Sequence, residues 1–162
     1  MTEGSPFHPA TLAREFREAR QALLEVAERL PETRAYRATE RAGWTLKHDL
    51  SLMVAMDTEI LHLLERAQAR AAGAAVEVAS AVDVRRIRGR AMHAAHEMRL
   101  APLREHLAAL GERAAAALET AGDRLGEPVA VAGREAETLA ALARAQVERA
   151  QASIEALRKH TS

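Results

Sequence analysis

The chain has 162 residues, of which 48% are hydrophobic and 28% charged, and its 23 Lys and Arg balance its 23 Asp and Glu. The net charge of zero excludes a protein whose overall field attracts nucleic acid or an anionic membrane. The absence of Cys excludes a disulfide framework, a thiolate metal site and a cysteine nucleophile. The size and the abundance of Ala, Leu, Glu and Arg favour one domain, residues 1–162, built of long amphipathic helices.

The first segment, MTEGSPFHPA, has neither the basic stretch nor the apolar run of a secretory leader. No apolar run elsewhere approaches the roughly 20 residues that span a bilayer. We therefore expect a cytoplasmic protein without a membrane partner.

The first helix is predicted after Pro9, because apolar residues recur there at alternating spacings of four and three. Pro31 cannot continue a helix, so residues 31–43, rich in charge and helix breakers, are predicted to form an irregular connection. The apolar stripe of this helix is Leu12, Phe16, Ala19, Leu23, Val26 and Leu30.

The second helix is predicted to begin at Gly43-Trp44-Thr45, where the Thr45 hydroxyl can cap free backbone amides. Asp57 falls inside the apolar stripe, so a buried Asp57 requires a partner, and an Arg is the expected one. The stripe consists of Leu46, Leu50, Met53, Ile60 and Leu64.

Gly73 and the run AAVEVASAVD predict a crossover, after which Ser80 or Asp83 caps a short accessory helix that extends to Met98. A break near Pro102 precedes the third long helix, which is predicted to end around Gly122.

A connection containing Gly126, Pro128 and Gly133 leads to the last helix. Its predicted inner face is Leu139, Ala143, Gln146, Ala150 and Leu157, with Ile154 beside it. Four long helices and a short accessory helix in the crossover between the second and third predict an all-α four-helix bundle.

The second helix opens with Trp44-Thr45-Leu46-Lys47, followed by Leu50 and Asp57. This order resembles the helix-two signature of the DinB-like and mycothiol-dependent maleylpyruvate isomerase superfamily, and the stretch IRGRAMHAAHEMRLAPL resembles its accessory helix. The resemblance implies an up-down-down-up bundle. It also implies a divalent-metal site whose first ligand, a His eight residues after the Trp, would stand at Leu52.

The family's last helix carries a His-x-x-x-His pair, and its alignment with AQASIEALR places those two positions at Gln146 and Ala150. None of Leu52, Gln146 and Ala150 is an imidazole, thiolate or carboxylate, and Gln is a weak ligand for transition metals. The resemblance therefore implies a degenerate metal site, and we expect no metal and no other cofactor.

Three further polar candidates have competing structural interpretations. His48 could join Asp49 in a relocated site, but its position predicts that it faces the end of the last helix, near Ala150 and Ile154. His93 and His96, with Glu97, imitate a metal pair; they and His106 are interpreted as exposed residues. Gln146 is interpreted as a buried amide whose hydrogen bonds are satisfied within the fold.

Arg85, Arg86, Arg88 and Arg90 form a basic patch, interpreted as a solvated helix face because four aromatic residues offer no stacking platform for nucleic acid. We expect a non-catalytic or metal-independent protein with a pocket bordered by Trp44, His48, Leu52 and Gln146. It would act by binding a small molecule or by forming a homodimer. The alternative is a thiol S-transferase or isomerase with a relocated metal or none.

Overall fold

The computed structural model describes residues 8–39, 41–69, 81–126, 128–129 and 137–161. The fold is all-α, as the composition predicts. In chain order the helices are α1 (Pro9–Glu28), α2 (Glu32–Ala35), α3 (Leu46–Ala69), α4 (Ala81–Glu97), α5 (Leu100–Ala121) and α6 (Leu139–Thr161). A 3₁₀ turn, Gly122–Gly126, follows α5, and the short strands β1 (Pro128–Val129) and β2 (Glu137–Thr138) pair antiparallel before α6.

Helix α1 follows the predicted pattern from Pro9 onward. Pro9 stands in its first turn, where the missing N–H has no intrahelical acceptor to lose. All six residues of the predicted stripe, from Leu12 to Leu30, are buried. Arg20 is buried with them, four residues after Phe16 on the same face.

The connection after α1 is more ordered than the irregular segment that the sequence predicts. Helix α2 forms one turn after Pro31 and buries Ala35. Farther on, Ala38 and Thr45 form an isolated antiparallel bridge, and α3 begins directly after Thr45 as predicted. The chain therefore enters α3 through a closed hairpin-like loop.

The predicted break between the accessory helix and the third long helix is confirmed. Helix α4 ends at Glu97 and α5 begins at Leu100, with Pro102 in its first turn. Helix α5 ends at Ala121, and Gly122 has a φ of 55°, a left-handed value that glycine adopts without strain. The predicted breaks at Gly73 and Gly133, and a cap at Ser80, lie outside the described residues.

Helices α1, α3, α5 and α6 supply most of the core, and Val84 and Ala95 of α4 add to it. Helix α1 packs against α5 and α6, and α3 packs against the same two and against α4. Their buried side chains form two apolar clusters, one containing Phe16, Leu64 and Leu118 and the other containing Leu23, Leu50 and Leu107. Among the described residues, no helix has the length and hydropathy required to cross a membrane.

Candidate functional site

A polar layer of three residues, Arg20, Asp57 and Gln146, lies in the interior between the two apolar clusters. Arg20 is 4% exposed, and Asp57 and Gln146 are 0% exposed. The Arg20 guanidinium donates a hydrogen bond to Asp57 Oδ1, and Gln146 Nε2 donates to the same oxygen over 3.0 Å. The prediction that a buried Asp57 is paired with an Arg is confirmed.

Helix α5 approaches this layer through Gly111. A Cβ at Gly111 would lie 2.6 Å from Arg20 Cγ, closer than two carbon atoms can approach without a shift. The buried Arg20 side chain therefore occupies the space that any larger residue at position 111 would require.

The polar layer is not fully hydrogen-bonded by the described residues. Arg20 Nε and Nη1, Asp57 Oδ2 and Gln146 Oε1 are buried and have no partner in this part of the chain. Burial raises the pKa of Asp57, and the Arg20 charge and the Gln146 amide act in the opposite direction. Removing either partner would thus leave Asp57 in an environment that penalises its charge.

The three positions that the resemblance assigns to metal ligands hold two apolar side chains and one hydrogen-bonded amide. Leu52 is half-buried on α3, Ala150 is buried in the second apolar cluster, and Gln146 belongs to the polar layer. Gln146 Nε2 is hydrogen-bonded within the fold as predicted, whereas its Oε1 has no partner among the described residues. Over the described ranges, no group of three or more His, Asp or Glu side chains could hold a metal ion.

A cleft of about 230 Å³ lies beside Trp44, where the start of α3 meets the end of α6. It is lined by Thr39, Arg41, Trp44, Leu46, Asp49, Ala156 and Lys159. The Arg41 guanidinium lies 4.2 Å from the centre of the Trp44 ring, within the range of a cation–π contact. The indole Nε1 donates to Asp49 Oδ1 over 2.9 Å, which orients the ring.

The loop that carries Thr39, Arg41 and Trp44 is fixed by backbone hydrogen bonds. Thr39 N–H donates to the Trp44 carbonyl (2.8 Å), and Trp44 N–H donates to the Arg41 carbonyl (3.0 Å). Gly43, with a φ of 72°, occupies the third position of the resulting turn, where a positive φ favours glycine. The cleft wall is therefore formed before any ligand arrives.

His48 stacks on two rings rather than facing the end of the last helix. Its ring centroid lies 4.9 Å from that of Trp44 and 4.2 Å from that of His96 on α4. The Thr45 N–H donates to His48 Nδ1 over 2.9 Å, which assigns the proton of the neutral ring to Nε2. The structure thus brings Trp44 and His48 together, with Gln146 held separately in the polar layer.

The interpretation of His96 as an exposed residue is wrong. The last turn of α4 lies over the first turn of α3, which half-buries His96 against His48 and buries its Nδ1. Burial, followed by the neighbouring His48 and Lys47, lowers the pKa of His96. His93, on the same helix, is exposed and lies 3.5 Å from Glu97, and His106 is exposed as expected.

The basic patch on α4 is mostly solvated, as predicted. Arg85, Arg86 and Arg90 are exposed, whereas Arg88 Nε donates over 2.8 Å to Glu59, a nearly buried carboxylate on α3. The Arg88–Glu59 ion pair therefore connects α4 with α3.

Sequence reasoning did not select Arg20, Gly111 or Glu59, and it interpreted His96 as exposed. Arg20 had a usable signal, since it stands in phase with Leu12, Phe16 and Leu23 on the stripe of α1 and offers a charge to match Asp57. The other three are defined by contacts between helices, which periodicity within one helix does not report.

Comparison of the chain with protein-family models, with curated proteins and with solved structures gives no match. The family expectation therefore depends on the residues of the motif that opens α3 and on the α4 segment.

Proposed function

We propose that this chain is a DinB-like four-helix bundle that acts by binding a ligand, without metal-dependent chemistry. The four helices of the bundle are α1, α3, α5 and α6, and α4 is the accessory helix. Contacts between helices support the up-down-down-up order. Arg17 contacts Glu112 while Arg104 contacts the Ala27 carbonyl, so α1 and α5 run in opposite directions.

The remaining pairs of helices agree with that order. Asp57 contacts Gln146, and Leu46 lines a cleft with Ala156, so α3 and α6 are antiparallel. Arg124, after α5, donates to the carbonyl of Ala67 near the end of α3, which supports a parallel α3 and α5.

The hydrogen bond from Gln146 to Asp57 carries the functional part of the proposal. In the family alignment, Gln146 stands where a metal ligand is required, but its amide N–H donates a hydrogen bond to the buried Asp57 carboxylate. Its remaining polar atom, Oε1, is buried without a partner among the described residues and, as an amide oxygen, is a weak ligand for transition metals. Leu52 and Ala150 at the other two positions are apolar and cannot replace it as ligands.

The cleft beside Trp44 is the binding site in this proposal. It combines the Trp44 ring, apolar carbon of Ala156 and polar groups from the loop and from two helices. Ligand sites in proteins have this composition, in which apolar surface supplies contact area and a few polar groups set the orientation.

Metal titration of the protein purified without a metal-affinity tag tests the proposal. Calorimetry with nickel and with zinc should give no stoichiometric binding, and metal analysis of the purified protein should give substoichiometric amounts. Tight one-to-one binding of either metal would contradict the proposal and return the chain to the metal-dependent class. The His48→Ala variant, titrated in parallel, would show whether such a metal uses the histidine stack.

A further inference from the structure

We propose that the cleft beside Trp44 binds a small organic anion, a compact apolar body carrying one carboxylate or a comparable anionic group. This inference rests on the proposed function and adds the chemical class of the ligand. It depends on the charges, the apolar surface and the size of the cleft.

The charges of the cleft favour an anion. Arg41 and Lys159 line it, and neither forms an ion pair with another of the described residues. The single carboxylate in the lining, Asp49, already accepts the indole hydrogen bond of Trp44. The two cations outnumber the one carboxylate in the lining, so an anionic group beside Arg41 or Lys159 would gain a charge-assisted hydrogen bond.

The lining of the cleft also includes apolar surface. The Trp44 ring and Ala156 contribute it, whereas Leu46 is 1% exposed and belongs to the core beneath. A hydrated inorganic anion would leave this apolar surface without a contact, whereas an aryl or short alkyl group would bury it.

The size of the cleft matches a small ligand. A volume of about 230 Å³ is below the ~300–1,000 Å³ of sites for drug-sized molecules. Because backbone hydrogen bonds connect Thr39 and Arg41 with Trp44, binding requires little ordering of these three residues. A compact, singly charged ligand fits these limits.

Calorimetric titration with benzoate, benzamide and inorganic phosphate tests the inference. Benzoate and benzamide share a shape and differ in charge, and phosphate supplies charge without an apolar body. We expect saturable, roughly millimolar binding of benzoate, with benzamide at least about tenfold weaker because it lacks the charge. Trp44, the one tryptophan of the chain, provides a second readout through its fluorescence.

Two variants and a matched control locate the bound probe. Arg41→Gln and Lys159→Gln should each weaken benzoate binding by about tenfold. Arg149→Gln, which removes an exposed cation elsewhere on α6, should leave the affinity unchanged. Circular dichroism and thermal unfolding would verify that all three variants remain folded.

Three results would overturn the inference: no saturable binding of benzoate, equal affinity for benzamide, or equal competition by phosphate. Benzoate binding that neither cleft variant weakens would also overturn it, since the probe would then lie elsewhere. Each of these results is distinct from tight nickel or zinc binding, which contradicts the proposed function itself.

Discussion

Arg20 of α1 and Asp57 of α3 are joined by a hydrogen-bonded ion pair in the interior, although 37 positions separate them along the chain. Both side chains are almost completely enclosed, with exposures of 5% and 0%. Burying an ion pair carries a large desolvation cost, and the loss of one partner is more costly still because the other charge remains. The stability of the fold should therefore respond strongly to either residue.

Asp57→Ala should lower the free energy of unfolding by about 3–5 kcal/mol, since the Arg20 charge would remain buried without its partner. Urea denaturation followed by circular dichroism measures this change. The control is Arg17→Ala on the same helix, which removes solvent-facing pairs with Glu112 and Glu119 and should cost much less. The double variant Arg20→Met with Asp57→Leu should be less destabilised than Asp57→Ala. A loss for Asp57→Ala no greater than that for Arg17→Ala would contradict the prediction.

Gly111→Ala should destabilise the protein although alanine is the better helix former. The added Cβ would meet Arg20 Cγ at 2.6 Å, and overpacking of this kind costs about 1–3 kcal/mol. Gly89→Ala is the matched control, because a Cβ at Gly89 meets nothing within 4 Å. That change should stabilise α4 by up to about 1 kcal/mol. The midpoint of thermal unfolding should therefore fall for Gly111→Ala and rise for Gly89→Ala. A rise for both would show that the Arg20 side chain moves to accommodate the added methyl group at little cost.

Gln146→Met keeps the approximate shape of the side chain and removes the hydrogen bond to Asp57. A hydrogen bond to a charged group is worth about 1.5–3 kcal/mol, and a loss of that size is expected in urea denaturation. Gln151→Met, on an exposed position of the same helix, should change stability by less than about 0.5 kcal/mol. Equal effects of the two substitutions on stability would show that the Gln146 hydrogen bond does not contribute to the stability of the polar layer.

The lowered pKa of His96 predicts that stability falls as the medium becomes acidic. With a folded-state pKa below the ordinary value of about 6.5, the unfolded chain binds the proton first. The stabilisation is therefore complete above that value and is lost progressively below it, down to the folded-state pKa. The neighbouring groups that set this pKa are His48 and Lys47 on α3 and His93 and Glu97 on α4.

Urea denaturation at a series of pH values, for the wild type and for His96→Gln, checks this dependence. In the His96→Gln variant, the free energy of unfolding should decline less below a pH of about 6.5 than in the wild type. In His106→Gln, at an exposed position, the decline should equal that of the wild type. Identical pH profiles for His96→Gln and the wild type would disprove the assignment.

The sequence predicts the helices well because their apolar spacing is a local property. The stripe of α1, the start of α3 after Thr45 and the break before Leu100 all follow from spacing, capping residues and proline positions. The need of Asp57 for an Arg also follows from the sequence, because a charge within an apolar stripe must be compensated wherever its partner lies.

The features that the sequence does not predict depend on which helices become neighbours. The stack of His48 on His96 requires that the end of α4 lie over the start of α3, and the role of Gly111 requires that α5 face Arg20. The hydrogen bonds that connect Thr39 and Arg41 with Trp44 lie within a charged stretch that the sequence predicts to be irregular. Periodicity within one helix carries no information about any of these contacts.

The polar layer between the two apolar clusters restricts how the helices can be positioned along one another. Helices rich in Ala and Leu can slide past each other by one turn and still present apolar side chains to their neighbours. Such a slip would carry Arg20 away from Asp57 and from the space above Gly111, and would place its charge among carbon atoms. We therefore expect the polar layer to favour one relative alignment of the helices over alignments shifted by one turn, at some cost in stability.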